Sequence, residues 1–226
     1  MILLGNAASS VLVATAIFFS PQFETVSDIP ANYFQEHKTI FGRVERVIDG
    51  DTVRIRHCKS RLFGCENRMK NGLPPKKIYD STLSIRLYGV DCPEIKKRSN
   101  DPPSQPFGEE AKKYTSDMVL GKTVKVTLYS KDRYGRALSM VETPRPIIPV
   151  FGRKDLSVEL VDKGLATIYK GGGAEYADKK ELLEQKLEKA QRRKVGIWSL
   201  GQEMVSPADF KRQQRATQYR LAPATP

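Results

Sequence analysis

Between Val44 and Val141 the chain repeats one pattern: short runs in which apolar and polar residues alternate, each bounded by turn signals. Val53 and Ile55 alternate with Arg54 and Arg56. Leu83, Ile85 and Leu87 alternate with Ser84, Arg86 and Tyr88. Val124, Val126 and Leu128 alternate with lysine and threonine. Successive side chains of a strand point to opposite faces, so each run has one face for a core and one for solvent. Val44 and Val47 lead into Asp49-Gly50, a favourable hairpin pair, and Ala137 to Val141 forms a fifth run after Tyr134-Gly135. Short strands with such turns predict a small closed barrel.

Three helical patterns interrupt the strands. Phe107, Ala111, Tyr114 and Met118 fall at helical spacing. Asp155 is a good N-cap before Leu156, Leu160 and Val161, with Gly164 as the stop. Tyr176, Leu183, Leu187 and Ala190 line one face of a longer helix closed by Arg192, Arg193 and Lys194, which suit the negative end of its dipole. The alternative for those three is a nucleic-acid contact.

The flanks differ in character. Ile2 to Ser20 holds no charged residue, and its densest apolar part is Val11 to Phe19. Residues 1–20 are expected to be a signal anchor or a signal peptide, with Ala14-Thr15-Ala16 as a cleavage site in the second case. A single-pass membrane anchor with the domain translocated is the favoured reading, secretion after cleavage the alternative. Residues 21–38 are expected as a linker, 39–200 as the domain, and 201–226 as a polar, basic tail that packs peripherally or stays disordered. Within the domain, 57–80 reads as a basic insertion kept irregular by Gly72, Pro74 and Pro75. It either extends a substrate groove or is a solvated loop. Lys96 to Pro106 is a second exposed loop.

At 226 residues and 39% hydrophobic the chain can bury a real core, and a net charge of +12 favours a polyanionic partner, nucleic acid or an acidic membrane surface. The two histidines, His37 and His57, lie in no catalytic or metal spacing, which argues against a histidine general base and against zinc held by histidine clusters. Cys58 and Cys65 flank a short segment and are either a disulfide or two unrelated thiols. Cys92 has no histidine placed to activate it and is not read as a nucleophile.

The chemistry lies in three clusters in order: Asp49-Gly50-Asp51-Thr52, Arg86-Leu87-Tyr88-Gly89-Val90-Asp91-Cys92-Pro93-Glu94, and Asp132-Arg133-Tyr134-Gly135-Arg136. They offer carboxylates for a hard cation, one more carboxylate for a water, and guanidinium groups that match phosphate oxygens. That is equipment for hydrolysing a phosphodiester. The three clusters in sequence, with Gly196-Ile197-Trp198-Ser199 after a basic helix, resemble the thermonuclease (staphylococcal nuclease-like) family over about Phe41 to Leu200. The stretches Ile29-Pro30 to Phe41-Gly42 and Gly164 to Tyr169 look like its membrane-anchored fungal members.

The resemblance implies an α+β fold, a five-stranded OB-type Greek-key β-barrel with three helices, preceded here by the apolar N-terminal segment. It implies Asp51, Asp91 and the main-chain carbonyl of Cys92 as ligands of calcium, with Asp49 close by. Threonine or alanine is more usual in the family at the position of Cys92. Glu94 matches the family's general base or water organiser, and Arg86 and Arg136 match the two arginines on the attacked phosphate. Arg133 and Tyr134 stand where a lysine and a tyrosine touch the terminal phosphate, and Tyr169 is placed to stack a base. The function implied is a calcium-dependent endonuclease acting on DNA and RNA and leaving 3′-phosphate ends, and the chain is expected to be a monomer. Its rivals are a non-catalytic nucleic-acid-binding barrel and a membrane-tethered basic scaffold. The completeness of Asp51, Arg86, Asp91, Glu94 and Arg136 favours the enzyme.

Overall fold

The computed structural model describes residues 22–58, 78–96, 99, 103–143 and 152–221, and for 217–221 the backbone alone. The N-terminal run 1–20, most of the insertion (59–77) and residues 222–226 lie outside these. Among the described residues no helix is long and apolar enough to cross a membrane.

A short helix α1 (Ala31–Gln35) precedes the strands β1 (Thr39–Asp49), β2 (Thr52–Cys58), β3 (Leu83–Leu87) and β4 (Val90–Asp91). Helix α2 (Gly108–Val119), strands β5 (Thr123–Lys131) and β6 (Ala137–Glu142), helix α3 (Leu156–Asp162), strand β7 (Thr167–Ile168), helix α4 (Lys180–Arg192), a 3-10 segment Gly196–Glu203 and helix α5 (Pro207–Leu221) follow. Five strands close a barrel in the order β1-β2-β3-β6-β5, β5 returning to β1, and β4 pairs with β7 beside it. All barrel pairings are antiparallel except β3 with β6, where Ile85 faces Ala137. The closed barrel is what the strand pattern predicts, and with its helices it is the OB-type α+β fold that the family resemblance implies.

The long first strand serves both neighbours. Thr39 to Arg43 pair with β5 while Phe41 to Asp49 pair with β2, with register shifts near Glu45 and Ile48. Such bulges add the local twist that lets a sheet curl shut. The alternation in the sequence is realised as burial. Val44, Val53, Ile55, Leu83, Ile85, Val124, Val126, Leu128 and Val141 are fully buried, each contributing about 2 kcal/mol of hydrophobic stabilisation. Their polar neighbours on the same strands face outward.

Asp155 caps α3 as expected, its Oδ1 accepting from the amide of Ser157 at 3.0 Å. Its Oδ2 also accepts from the hydroxyl of buried Tyr88 at 2.6 Å and from Lys179 at 2.8 Å. Ser157 Oγ donates to the Tyr88 carbonyl at 2.9 Å. One carboxylate thus fixes the end of β3, the start of α3 and the approach to α4. Gly164 ends α3 at φ +66°, a conformation that favours glycine. Phe107 precedes its helix and Tyr176 lies before α4, whereas Ala111, Leu183 and Ala190 face the core. The basic end of α4, Arg192 to Lys194, is exposed.

Residues 22–38 are packed against the barrel, with Phe23, Val26, Ile29 and Phe34 in the common core. The Phe23 ring stacks on His57 at 4.8 Å, and the Phe23 amide donates to His57 Nδ1 at 3.1 Å. Cys58, the next residue, is disulfide-bonded, whereas Cys92 is a free buried thiol. Cys65, the partner considered from the sequence, lies outside the described residues.

Burial pushes the His57 pKa down to about 4. The unfolded chain takes up this proton near pH 6.5 and the folded chain resists it, so stability is lost as pH falls from about 6.5 to about 4, by about 3 kcal/mol in all. His57→Asn keeps an acceptor for the Phe23 amide and removes the titration. Denaturant unfolding of both proteins at pH 7 and pH 4.5 is expected to show the smaller loss in the variant.

Candidate active site

Two turns and one loop meet at an end of the barrel. The β1–β2 turn carries Asp49, Gly50 and Asp51. The chain leaving β4 carries Asp91, Cys92 and Glu94. The loop before α2 carries Gln105. Arg86, on the outward face of β3, lies opposite Thr52 in the register and reaches across both turns.

Its guanidinium forks between two carboxylates: one nitrogen donates to Asp51 Oδ1 at 2.5 Å, the other to Asp91 Oδ1 at 2.7 Å. Asp51 and Asp91 are both buried. Asp51 Oδ2 also accepts from the Cys92 amide at 2.8 Å, and its Oδ1 from Thr52 Oγ1 at 3.0 Å. Burial holds the Asp51 carboxyl above its ordinary value; Arg86 pulls against this, while Asp49 and Asp91 reinforce it. Burial works against the Arg86 charge too, but Asp51 and Asp91 outweigh it, so its pKa is raised. The Cys92 thiol is buried and pushed well above the usual cysteine value, first by burial and then by Asp51. A buried thiol held above its usual value has little thiolate character.

Glu94 stands at the rim. Its amide donates to Gln105 Oε1 at 3.2 Å, and its carbonyl accepts from the Gln105 amide at 2.7 Å. Gln105 Nε2 then donates to the Val205 carbonyl at 2.7 Å, just ahead of α5. From that helix Lys211 reaches back, its Nζ lying 2.8 Å from Asp91 Oδ1 and 2.9 Å from Glu94 Oε1. Burial disfavours the ammonium, but the two carboxylates outweigh it and raise the Lys211 pKa.

Lys211, Gln105 and Thr115 were not singled out by sequence reasoning. Thr115 Oγ1, on α2, donates to the Gly50 carbonyl at 2.7 Å and pins the turn below Asp51. Alternation and turn chemistry report on neighbours in sequence, whereas Thr115 reaches 65 residues to Gly50, Gln105 reaches 100 to Val205 and Lys211 reaches 120 to Asp91.

The other expected site residues lie on the β5–β6 turn and after β7. Arg133 and Tyr134 occupy the β5–β6 turn, and Arg136 follows it immediately before Ala137. Asp132 organises the turn, accepting from the amides of Tyr134 and Arg136 and from Arg136 Nε at 2.6 Å. The Arg133 and Arg136 guanidiniums lie 4.9 and 5.4 Å from the Tyr134 ring centre, and that ring is 66% exposed. Arg136 is thus paired with Asp132, one residue from the β6 position beside Ile85. Tyr169 follows β7, its amide donating to the Gly89 carbonyl at 3.0 Å, which places it next to the strand of Asp91.

Asp51, Asp91 and Glu94 provide oxygen donors only, a set suited to a hard divalent cation such as calcium. Among the described residues, however, no three His, Cys, Asp or Glu side chains are arranged as a ready metal cage. The expected centre of Asp51, Asp91 and Cys92 is closed on side-chain cations. Arg86 and Lys211 occupy the carboxylate oxygens, and Cys92 gives its amide N–H to Asp51.

Residues 84–200 match the model of the staphylococcal nuclease homologue family. The chain belongs to the staphylococcal nuclease family. It is 36% identical to endonuclease Htp3 of Saprolegnia parasitica, over 84% of both chains. It is also 36% identical to probable endonuclease LCL3 of Scheffersomyces stipitis, over 89% of this chain and 87% of the relative, and 33% identical to that of Candida albicans over 88% and 87%. The span shared with the staphylococcal nuclease family model contains Arg86, Asp91, Glu94, Arg136 and Tyr169. Asp51 and Lys211 lie outside it.

The site depends on a close approach that only glycine permits. A Cβ at Gly50 would stand 2.7 Å from Cys92 Sγ and 2.8 Å from Ala111 Cβ. Gly50→Ala is therefore expected to destabilise the fold by about 1–3 kcal/mol through overpacking, measured as a lower urea midpoint. Tyr134→Ala, on the exposed turn, should leave that midpoint unchanged.

Proposed function

We propose that the chain is a calcium-dependent endonuclease that hydrolyses phosphodiester bonds in DNA and RNA. Membership of the nuclease family, with relatives named as endonucleases, makes it a hydrolase acting on phosphodiesters. The observation that carries the reading is the Arg86 guanidinium held between Asp51 and Asp91, with Glu94 at the rim beside them.

In this reading Asp51, Asp91 and the main chain of Cys92 hold calcium. When bound, the ion adds positive charge facing the phosphate oxygens. Arg86 then turns its planar fork to the attacked phosphate, with Arg136 as the second cation, and both stabilise the charge that builds on the phosphoryl group. Glu94 accepts a proton from, or orients, the attacking water. Arg133 and Tyr134 bind the terminal phosphate, and Tyr169 stacks a base. The basic surface implied by a net charge of +12 draws the polyanion in. The apolar run Ile2 to Ser20 tethers the enzyme to a membrane. The full chain should sediment with membranes, and a chain starting at Gln22 should not; an intact full-length chain in the soluble fraction would refute the tether.

Plasmid digestion tests the central claim. Cleavage is expected with calcium, little with magnesium, and none with excess chelator. Arg86→Ala is expected to lower turnover by roughly two to three orders of magnitude, with far-UV circular dichroism checking that it folds. Full activity in chelator would defeat the calcium assignment. A folded Arg86→Ala variant with a near-normal rate would move the active site elsewhere.

A further inference from the structure

Among the described residues, Lys211 brings a charged side chain to the site from beyond the barrel and the helices α2 to α4. Its helix is polar, and among Pro207 to Ala216 only Pro207 is buried. Over Pro207 to Ala216, apolar burial therefore does little to hold α5 in place. Among the described residues it meets the site through the Lys211 bridges to Asp91 and Glu94 and the adjacent Gln105–Val205 hydrogen bond. A helix attached in this way can leave without disturbing the core.

The oxygens it uses are those a cation needs. Asp91 Oδ1 accepts from both Arg86 and Lys211, at 2.7 and 2.8 Å. Calcium requires six to eight oxygens at short range, and an ammonium on the same carboxylate oxygen excludes it by both space and charge.

We infer that Lys211 is an internal competitor for the cation: α5 lays its ammonium on Asp91 and Glu94, and calcium binds by displacing it. This rests on the reading of Asp51 and Asp91 as calcium ligands. The docked helix neutralises Glu94, the residue assigned to the water, and it does so with the same side chain that blocks the cation. The fold thereby carries its own off state, which calcium releases. The Gln105 bridge links the two ends of the exchange, because the side chain that fixes the Glu94 backbone also holds the strand of chain entering α5.

A helix docked in nine molecules of ten weakens apparent calcium affinity about tenfold. Titration calorimetry of calcium into the full chain and into Lys211→Met is expected to show a gain of about that factor in the variant. Losing a nearby positive charge would tighten binding without any displacement, so a second readout is needed. Amide hydrogen exchange in residues 207–216 of the unmodified chain should quicken when calcium is added. Equal affinities in the two proteins, or exchange in α5 that calcium leaves unchanged, would overturn the inference while the calcium site stood. Absence of calcium binding to both folded proteins would instead defeat the metal reading itself, and the competitor with it. Should Lys211→Met fail to fold, the exchange measurement on the unmodified chain decides alone.

Discussion

Arg86 holds together two turns that would otherwise repel. Asp51 and Asp91 are buried carboxylates brought to the same barrel end by β1–β2 and by β3–β4, and the guanidinium between them is what makes that approach tolerable. Removing one partner of a buried ion pair leaves an uncompensated charge and costs about 3–5 kcal/mol. A group proposed to bind phosphate therefore also acts as a structural clamp. The two roles follow from one property, a planar fork of donors that accepts any paired set of anionic oxygens.

The barrel was readable because its physics is local. Residues such as Val53 and Ile55 bury one face of a strand, and period-two alternation records this directly in the sequence. Asp155 was legible as a cap for the same reason, since its targets lie two and three residues on. Its second task, taking the Tyr88 hydroxyl from 67 positions away, leaves no local mark. Nor does the packing of 22–38, where Phe23, Ile29 and Phe34 enter the core from a 3-10 turn and a five-residue helix too short to show a period.

The site divides along the same line. Asp51, Arg86, Asp91 and Glu94 stood out because each sits beside a turn signal or a strand, and the structure brings them together. Arg133, Tyr134 and Arg136 stood out equally, and Asp132 organises their turn immediately before the strand that pairs with that of Arg86. Lys211 was invisible: it is one lysine beside Arg212 and Arg215 on a helix with no apolar stripe. A polar helix that reaches the site through one lysine cannot be told from a solvated tail by pattern.

The closure of β1 on β5 has a kinetic side. Thr39 and Thr127, whose hydroxyls meet at 3.2 Å, are 88 residues apart, and β4, α2 and β5 lie between β3 and its parallel partner β6. Loop-closure entropy opposes such pairings until late, and barrels dominated by them fold in milliseconds to seconds rather than microseconds. During that interval β1 has an open edge. Arg43 and Arg46 project from it beside Glu45, and charged side chains at a strand edge discourage pairing with another chain. The same alternation that builds the core thus protects the unfinished barrel from its neighbours.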